Sequence, residues 1–194
     1  IVAAPHTGDV VKVQSLDDVA NADGYSGARR VIPESSSSSV SIANAPSGGF
    51  NSTSAFIEAM IPYAEAMKQQ YGIPPSLLLA QAIEESGGTS KLARTDSNYF
   101  GMTWTPNSGK QKGSARPEGG HYVHYNNLAE SVEDYAKLLS GWGVNGQDFS
   151  SALNIVASHG YAKDPNYRSS VSSVYNSYGL GKYDSGNYPA ADMS

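Results

Sequence analysis

From Ser52 onward, apolar residues recur at helical spacing. Phe56, Met60, Tyr63 and Met67 fall at i, i+4, i+7 and i+11, which is one helical face. Pro62 lies inside that run and predicts a kink or an effective start there, and Gly72 is expected to end the helix. Pro74-Pro75 opens a second helix, since Pro is tolerated in a first turn, and Gly87-Gly88 stops it after about Ser86. Residues 99–125 break the pattern. They carry Gly101, Pro106, Gly109, Gly113, Pro117, Gly119 and Gly120, with two short β-type pieces, Tyr99–Trp104 and His121–Tyr125, among them, and predict a small, loop-rich β-hairpin region. Helical periodicity returns at Asn127-Leu128-Ala129-Glu130, which has the form of a capping box. Val132, Tyr135, Leu138 and Leu139 supply its buried stripe, and Glu133 can pair with Lys137. Phe149–Ser158 predicts a further helix. Asp164-Pro165 predicts another, with Asp as cap, Val171, Val174 and Tyr178 on one side, and Gly179 at its end.

Residues 1–50 have a different texture. Val10–Val13 can form a short strand, but the rest is rich in Asn, Asp and Gly, with the run Ser35–Ser39 and then Ala45-Pro46-Ser47-Gly48-Gly49. Such a composition buries too little apolar area to offset chain entropy. It reads as a linker or docking arm, the alternative being a small strand-bearing subdomain. The segment 184–194 reads as a loose polar tail. The expected domain is therefore 51–183: mainly α, with one small β insertion, two-lobed, and with a groove where the lobes meet.

Composition narrows the function classes. Of the 194 residues, 39% are hydrophobic and 16% charged, and the net charge is −5 without a long basic run. Nucleic-acid binding needs clustered Lys and Arg, so it is not expected, nor is simple electrostatic attachment to an anionic surface. The absence of cysteine excludes disulfides and thiolate metal sites. No stretch reaches the roughly 18 apolar residues of a membrane span. A chain opening on Ile1, without the basic start and apolar run of a signal peptide, is expected to be a processed product or an excised fragment.

The candidate chemistry sits in Ala80–Ala93, where a good helix carries Glu84 and Glu85 into Ser-Gly-Gly. Leu78, Ala82 and Glu85 share one helical face, while Leu77, Gln81 and Glu84 share the next. One carboxylate is thus expected nearer the core or a cleft and the other nearer solvent. Both lie at the negative end of the helix dipole, which disfavours the anion, as does partial burial. Both effects move a carboxyl toward what a general acid needs.

Three segments in order carry a family resemblance: Gly72-Ile73-Pro74-Pro75-Ser76 with Ala80-Gln81-Ala82-Ile83-Glu84-Glu85-Ser86-Gly87, then Asn98-Tyr99-Phe100-Gly101-Met102, then Gly160-Tyr161-Ala162-Lys163-Asp164-Pro165-Asn166-Tyr167. Together they resemble the peptidoglycan glucosaminidases of glycoside hydrolase family 73, over about residues 52–180. The family often carries Trp after Ser-Gly, and this chain has Gly88 there, a departure that bears on one cleft wall. The resemblance implies a lysozyme-like fold, with the acid at the end of a core helix and a small β lobe across the groove. It implies that Glu85, which precedes Ser-Gly, is the catalytic acid and that Glu84 is a solvated neighbour.

Glycoside hydrolysis usually takes a second carboxylate, which the family draws from its β lobe. Between Phe100 and Tyr125 the acidic residue is Glu118, in a Gly-rich stretch that can close over a sugar. Tyr161 is the third catalytic candidate, as a hydrogen-bond donor to a developing charge or to the N-acetyl group, with Asp164 as a helix cap that fixes it. Asn98, Phe100, Trp104 and Tyr122 are the expected groove residues, with core packing the alternative for Phe100. His121 and His124 point to opposite faces of a strand with no third ligand near, so no metal site and no cofactor are expected.

The function so implied is an endo-β-N-acetylglucosaminidase acting on peptidoglycan glycan strands. The alternatives are a muramidase or lytic transglycosylase on the same fold, or a catalytically inactive wall-binding or tail module. Ala115-Arg116-Pro117 followed by Glu118-Gly119-Gly120 resembles phage-associated members, so a lysin or virion-tail setting is expected beside an extracellular, cell-wall one. Residues 1–50 are then the segment expected to meet other tail or parent-protein domains.

Overall fold

The computed structural model describes residues 2–3, 12–13, 44–160 and 164–186. The chain divides into two units, residues 1–38 and 39–194. In the first, β1 (Val2–Ala3) pairs antiparallel with β2 (Lys12–Val13), Val2 opposite Val13 and Ala3 opposite Lys12. The Ser35–Ser39 run and the segment 187–194 lie outside the described residues.

The second unit is helical around one small sheet. Helix α1 (Thr53–Tyr71) starts on Ser52, whose hydroxyl accepts from the Ala55 amide at 3.2 Å, and ends on Gly72 at φ +66°. Its buried face, Phe56, Ile57, Met60, Tyr63, Ala64 and Met67, extends the predicted stripe. Pro62 does not mark a start: the helix runs through it. An interior Pro costs about 3 kcal/mol, and buried residues on both sides of it supply the offset.

Helix α2 (Pro75–Glu85) is the central helix. From Pro75 to Ala82 every residue is buried, Ser76 and Gln81 included. Pro74 at its N-cap offers no side-chain acceptor. The open amide is capped from far along the chain: Asp184 accepts from Ser76 N at 3.0 Å and from Ser76 Oγ at 2.6 Å. Asp184 belongs to a 3₁₀ segment, Leu180–Ser185, which buries Leu180 and Tyr183. The domain therefore continues past the expected limit at Tyr183.

Its other limit also moves. Pro46 O accepts from Leu128 N at 2.7 Å, Gly48 N donates to Ser97 Oγ at 2.9 Å, Tyr99 Oη donates to Gly48 O at 2.5 Å, and Phe50 N donates to Gly88 O at 2.8 Å. The Phe50 ring lies 5.2 Å from Phe56 and 6.1 Å from Tyr99. Residues 46–50, expected in the arm, are part of the domain. Their composition misleads because backbone groups and one aromatic ring do the docking.

A short helix α3 (Lys91–Asp96), capped by Ser90, leads into the β region. There β3 (Thr103–Trp104), β4 (Gln111–Ala115) and β5 (His121–His124) form an antiparallel sheet in the order β3-β5-β4. The expected hairpin gains a third strand, β4, whose mostly exposed sequence Gln-Lys-Gly-Ser-Ala has no apolar alternation to announce it.

Helix α4 (Leu128–Gly141) begins at Asn127, whose Oδ1 accepts from Glu130 N at 3.0 Å. Glu130 reaches back to Asn126 N at 2.9 Å, one residue before the cap. Tyr135 of its buried face stacks on Phe100, centroids 4.2 Å apart, and Glu133 pairs with Lys137 at 2.7 Å. Helix α5 (Phe149–Ser158) is capped by Asp148, and α6 (Tyr167–Ser177) starts later than Asp164-Pro165 suggests. Asp164 instead closes the preceding turn, with its Oδ1 accepting from Asn166 N at 2.8 Å. Helices α1, α2, α4, α5 and α6 meet in one core around α2. The arrangement is mainly α with a small β lobe and matches the lysozyme-like expectation.

Candidate active site

Glu85 is the last residue of α2. The next residues turn the chain sharply: Ser86 and Gly87 donate backward to the carbonyls of Ala82 and Ile83, and Gly87 sits at φ +57°. Glu85 is thus carried at the end of the most buried helix while its own side chain stays open to solvent. The protein packed beside the carboxyl pushes its pKa from 4.5 up to about 7. Partial desolvation is the main cause and the charge of Glu84 adds to it, against a hydrogen bond from Tyr167 that pulls the other way. Glu84, on the neighbouring face, is also exposed.

Tyr167 opens α6 and is 7% exposed. Its hydroxyl accepts from Gln81 Nε2 at 2.9 Å, and Gln81, one turn before Glu85 on α2, is fully buried. With Gln81 donating into it, the hydroxyl hydrogen is free to point at Glu85. Burial raises the Tyr167 pKa well above its usual value, with a further push from the charges of Glu85 and Glu84, so it remains a donor. Gln81, Tyr167 and Glu85 form a directed chain ending on the carboxylate.

This residue was missed in the sequence, where Tyr161 was preferred from the same segment. Tyr161 lies outside the described residues. The usable signal was Gln81: a polar residue at i−4 from Glu85 on a buried helix needs a partner.

The Asn98–Met102 turn forms the other side. A Cβ added to Gly101, at φ +68°, would lie 3.5 Å from Glu85 Oε2, so this turn abuts the carboxylate. Asn98 holds it closed. Its Oδ1 accepts from Met102 N, and its Nδ2 donates to Met102 O and to Val123 O, each at 2.9 Å. Asn98 is fully buried and Phe100 is 1% exposed against Tyr135, so neither presents surface to a sugar.

Trp104 and Tyr122 are half-buried on the sheet. Trp104 stands opposite His121 and Tyr122 opposite Thr103, which puts the two rings on opposite faces. Trp104 donates from Nε1 to Lys110 O at 2.9 Å and carries Lys112 Nζ 5.5 Å from its ring centre. Tyr122 lies under the Arg116 guanidinium at 5.5 Å. Glu118 is exposed in the turn between β4 and β5, where Arg116 donates to it in an ion pair. Among the described residues, no group of three His, Asp or Glu is arranged to hold a metal.

Gly88, where the family often has Trp, sits at φ +70° with the Phe56 ring in the space of a side chain: an added Cβ would lie 2.2 Å from it. Phe50 packs on Phe56 here, and its amide donates to Gly88 O.

A carboxylic acid at the end of a buried central helix, with the turn leading into a small antiparallel sheet beside it, is the arrangement of a lysozyme-like fold. The chain belongs to the glucosaminidase family, described as mannosyl-glycoprotein endo-beta-N-acetylglucosaminidase, whose sequence pattern matches residues 61–180. Among its relatives, the exo-glucosaminidase LytG of Bacillus subtilis is 27% identical over 68% of this chain and 54% of its own. A probable N-acetylmuramidase of Lactococcus lactis is 31% identical over 69% of this chain and 35% of its own. The catalytic domain of the Listeria monocytogenes autolysin Auto superposes with a TM-score of 0.55 at 26% identity, covering 68% of this chain and 87% of that domain. The chain spans about half or less of the length of the curated relatives it matches.

Proposed function

We propose that this protein hydrolyses peptidoglycan glycan strands at the bond after N-acetylglucosamine, with Glu85 as general acid. The observation that carries the reading is the place of the Glu85 carboxyl, at the end of α2 beside the Gly101 turn and next to the Gln81–Tyr167 pair, in a glucosaminidase-family domain. Near neutral pH a substantial fraction is protonated. It donates its proton to the glycosidic oxygen as the bond to C1 breaks, and water adds to C1 while giving up a proton to the second carboxylate, from which solvent returns it to Glu85. Glu118 is the second carboxylate, delivered from the β4–β5 turn. Tyr161 is assigned a supporting hydrogen bond, and Tyr167 orients Glu85. Asn98 and Phe100 shape the turn beside the acid instead of touching sugar, and of Trp104 and Tyr122, which lie on opposite faces of the sheet, one ring at most faces the sugar. No cofactor takes part. Endo cleavage draws its support from the description of the family as an endo-beta-N-acetylglucosaminidase.

A muramidase is the second reading, favoured by the 31% identity to a relative named as a probable N-acetylmuramidase. The site of action is the bacterial cell wall. A lysin or virion-tail setting, with residues 1–50 meeting further domains, draws its support from residues 115–120, whereas the relatives named above come from bacteria. Digestion of purified peptidoglycan, borohydride reduction and mass spectrometry separate the chemistries. Reduced N-acetylglucosamine ends are expected. Reduced muramic acid ends would establish the muramidase, and anhydro-muramic ends a lytic transglycosylase.

A further inference from the structure

Asp96, at the end of α3, is the only charged side chain buried among the described residues, at 3% exposure. A buried carboxylate is costly unless its oxygens are matched. Here Oδ1 lies 3.1 Å from Nδ1 of His124 on β5, and Oδ2 accepts from Ser114 N on β4 at 3.1 Å. The Asp96 carbonyl also accepts from Tyr125 N at 2.8 Å.

The Ser114 amide needs such an acceptor. Lys112 faces Val123 and Ala115 faces His121, so β4 advances three residues while β5 advances two. That is a β-bulge at Gly113-Ser114, and a bulge leaves an amide without a ladder partner while bending its strand. Gly113 lets the carboxylate in: a Cβ there would lie 2.8 Å from Asp96 Oδ1 and 3.0 Å from His124 N. One residue beyond the bulged stretch, β4 ends at Ala115 and the Arg116-Pro117-Glu118 turn begins, with Arg116 paired to Glu118 and lying over Tyr122.

We propose that Asp96 is a positioning residue for Glu118: by anchoring the bulge to α3 and β5 it fixes the direction in which the β4–β5 turn presents that carboxylate. The proposal rests on the reading of Glu118 as the second carboxylate. A misplacement of order 1 Å in a reacting group can cost about 100-fold, so the bulge is a sensitive place to act.

The test is a double-mutant cycle in the full chain on soluble glycan strands. Glu118→Gln is expected to lower kcat. Asp96→Ala is expected to lower kcat by about 10- to 100-fold with KM within about twofold, and to have an effect of less than about twofold in the Glu118→Gln background. Asp96→Asn, which keeps an acceptor for Ser114 N, should recover most of the loss. If Asp96→Ala fails to unfold cooperatively, Gly113→Ala, which displaces the carboxylate without removing it, takes its place with the same expected pattern. If Glu118→Gln turnover is too slow to read, amide exchange decides. Residues 113–122 should exchange faster in the Asp96 or Gly113 variant, with α2 and α4 unchanged, and equal exchange would overturn the proposal. Wild-type kcat in Asp96→Ala, or an equal loss in both backgrounds, would overturn it while leaving Glu118 in its role. Full activity of Glu118→Gln would remove the role of Glu118 and this proposal with it.

Discussion

At the scale of the residue, the proposed acid is one carboxyl group whose surroundings act on it in opposite directions. Desolvation and Glu84 raise the Glu85 pKa, while the Tyr167 hydroxyl lowers it. Removing that donor in Tyr167→Phe should raise the pKa further. The alkaline limb of the pH–rate profile, placed near pH 7 in the wild type, is then expected to move to higher pH, and a limb that stays or moves down would refute the hydrogen bond. The same shift has a stability consequence. A carboxyl raised from 4.5 to about 7 binds its proton more tightly in the folded state, so its stabilising contribution is complete below about 4.5 and is lost as the pH rises through 7. Glu85→Gln, which cannot ionise, should flatten the fall in melting temperature over that interval, as read by thermal unfolding at stepped pH.

At the scale of the element, α2 matters most, since it holds Gln81 and Glu85 in register and is capped at its far end by Asp184. Loss of an N-cap acceptor costs about 0.5–2 kcal/mol. Asp184→Ala should lower stability by about that amount in urea unfolding, with kcat little changed, because the cap lies at the opposite end from the acid. The helices were legible in the sequence because each is amphipathic or bounded by Pro, Gly and capping residues. The Glu-Ser-Gly ending of α2 also pointed to Glu85. Two elements were not legible: α3 is short and polar, so that its Ser90 cap alone does not announce it, and β4 is exposed. Asn98 and Phe100 were expected in the groove because their types suit sugar binding. They are buried because the turn beside Glu85 must itself be braced, a requirement that appears only once β5 and α4 are in place. Asp184 and Tyr167 depend likewise on contacts over about a hundred residues of chain.

At the scale of the whole molecule, the domain is wider than its composition suggests. Residues 46–50 bind across α4, the Ser97–Tyr99 turn and the Gly88 corner, so the catalytic fold includes chain that reads as linker. Phe50 is half-buried, so Phe50→Ala should cost about 1–3 kcal/mol, less than the 3–5 of a fully buried Phe. A loss near zero would show that the segment is only laid against the surface. Relatives named as glucosaminidase, muramidase and autolysin match this domain. The most direct test of the central claim is the rate of glycan-strand cleavage by Glu85→Gln against wild type at pH 6, with both shown to unfold cooperatively. A loss of at least about 100-fold is expected for a positioned general acid. Cleavage within a few-fold of wild type would contradict the assignment of Glu85 and the mechanism built on it.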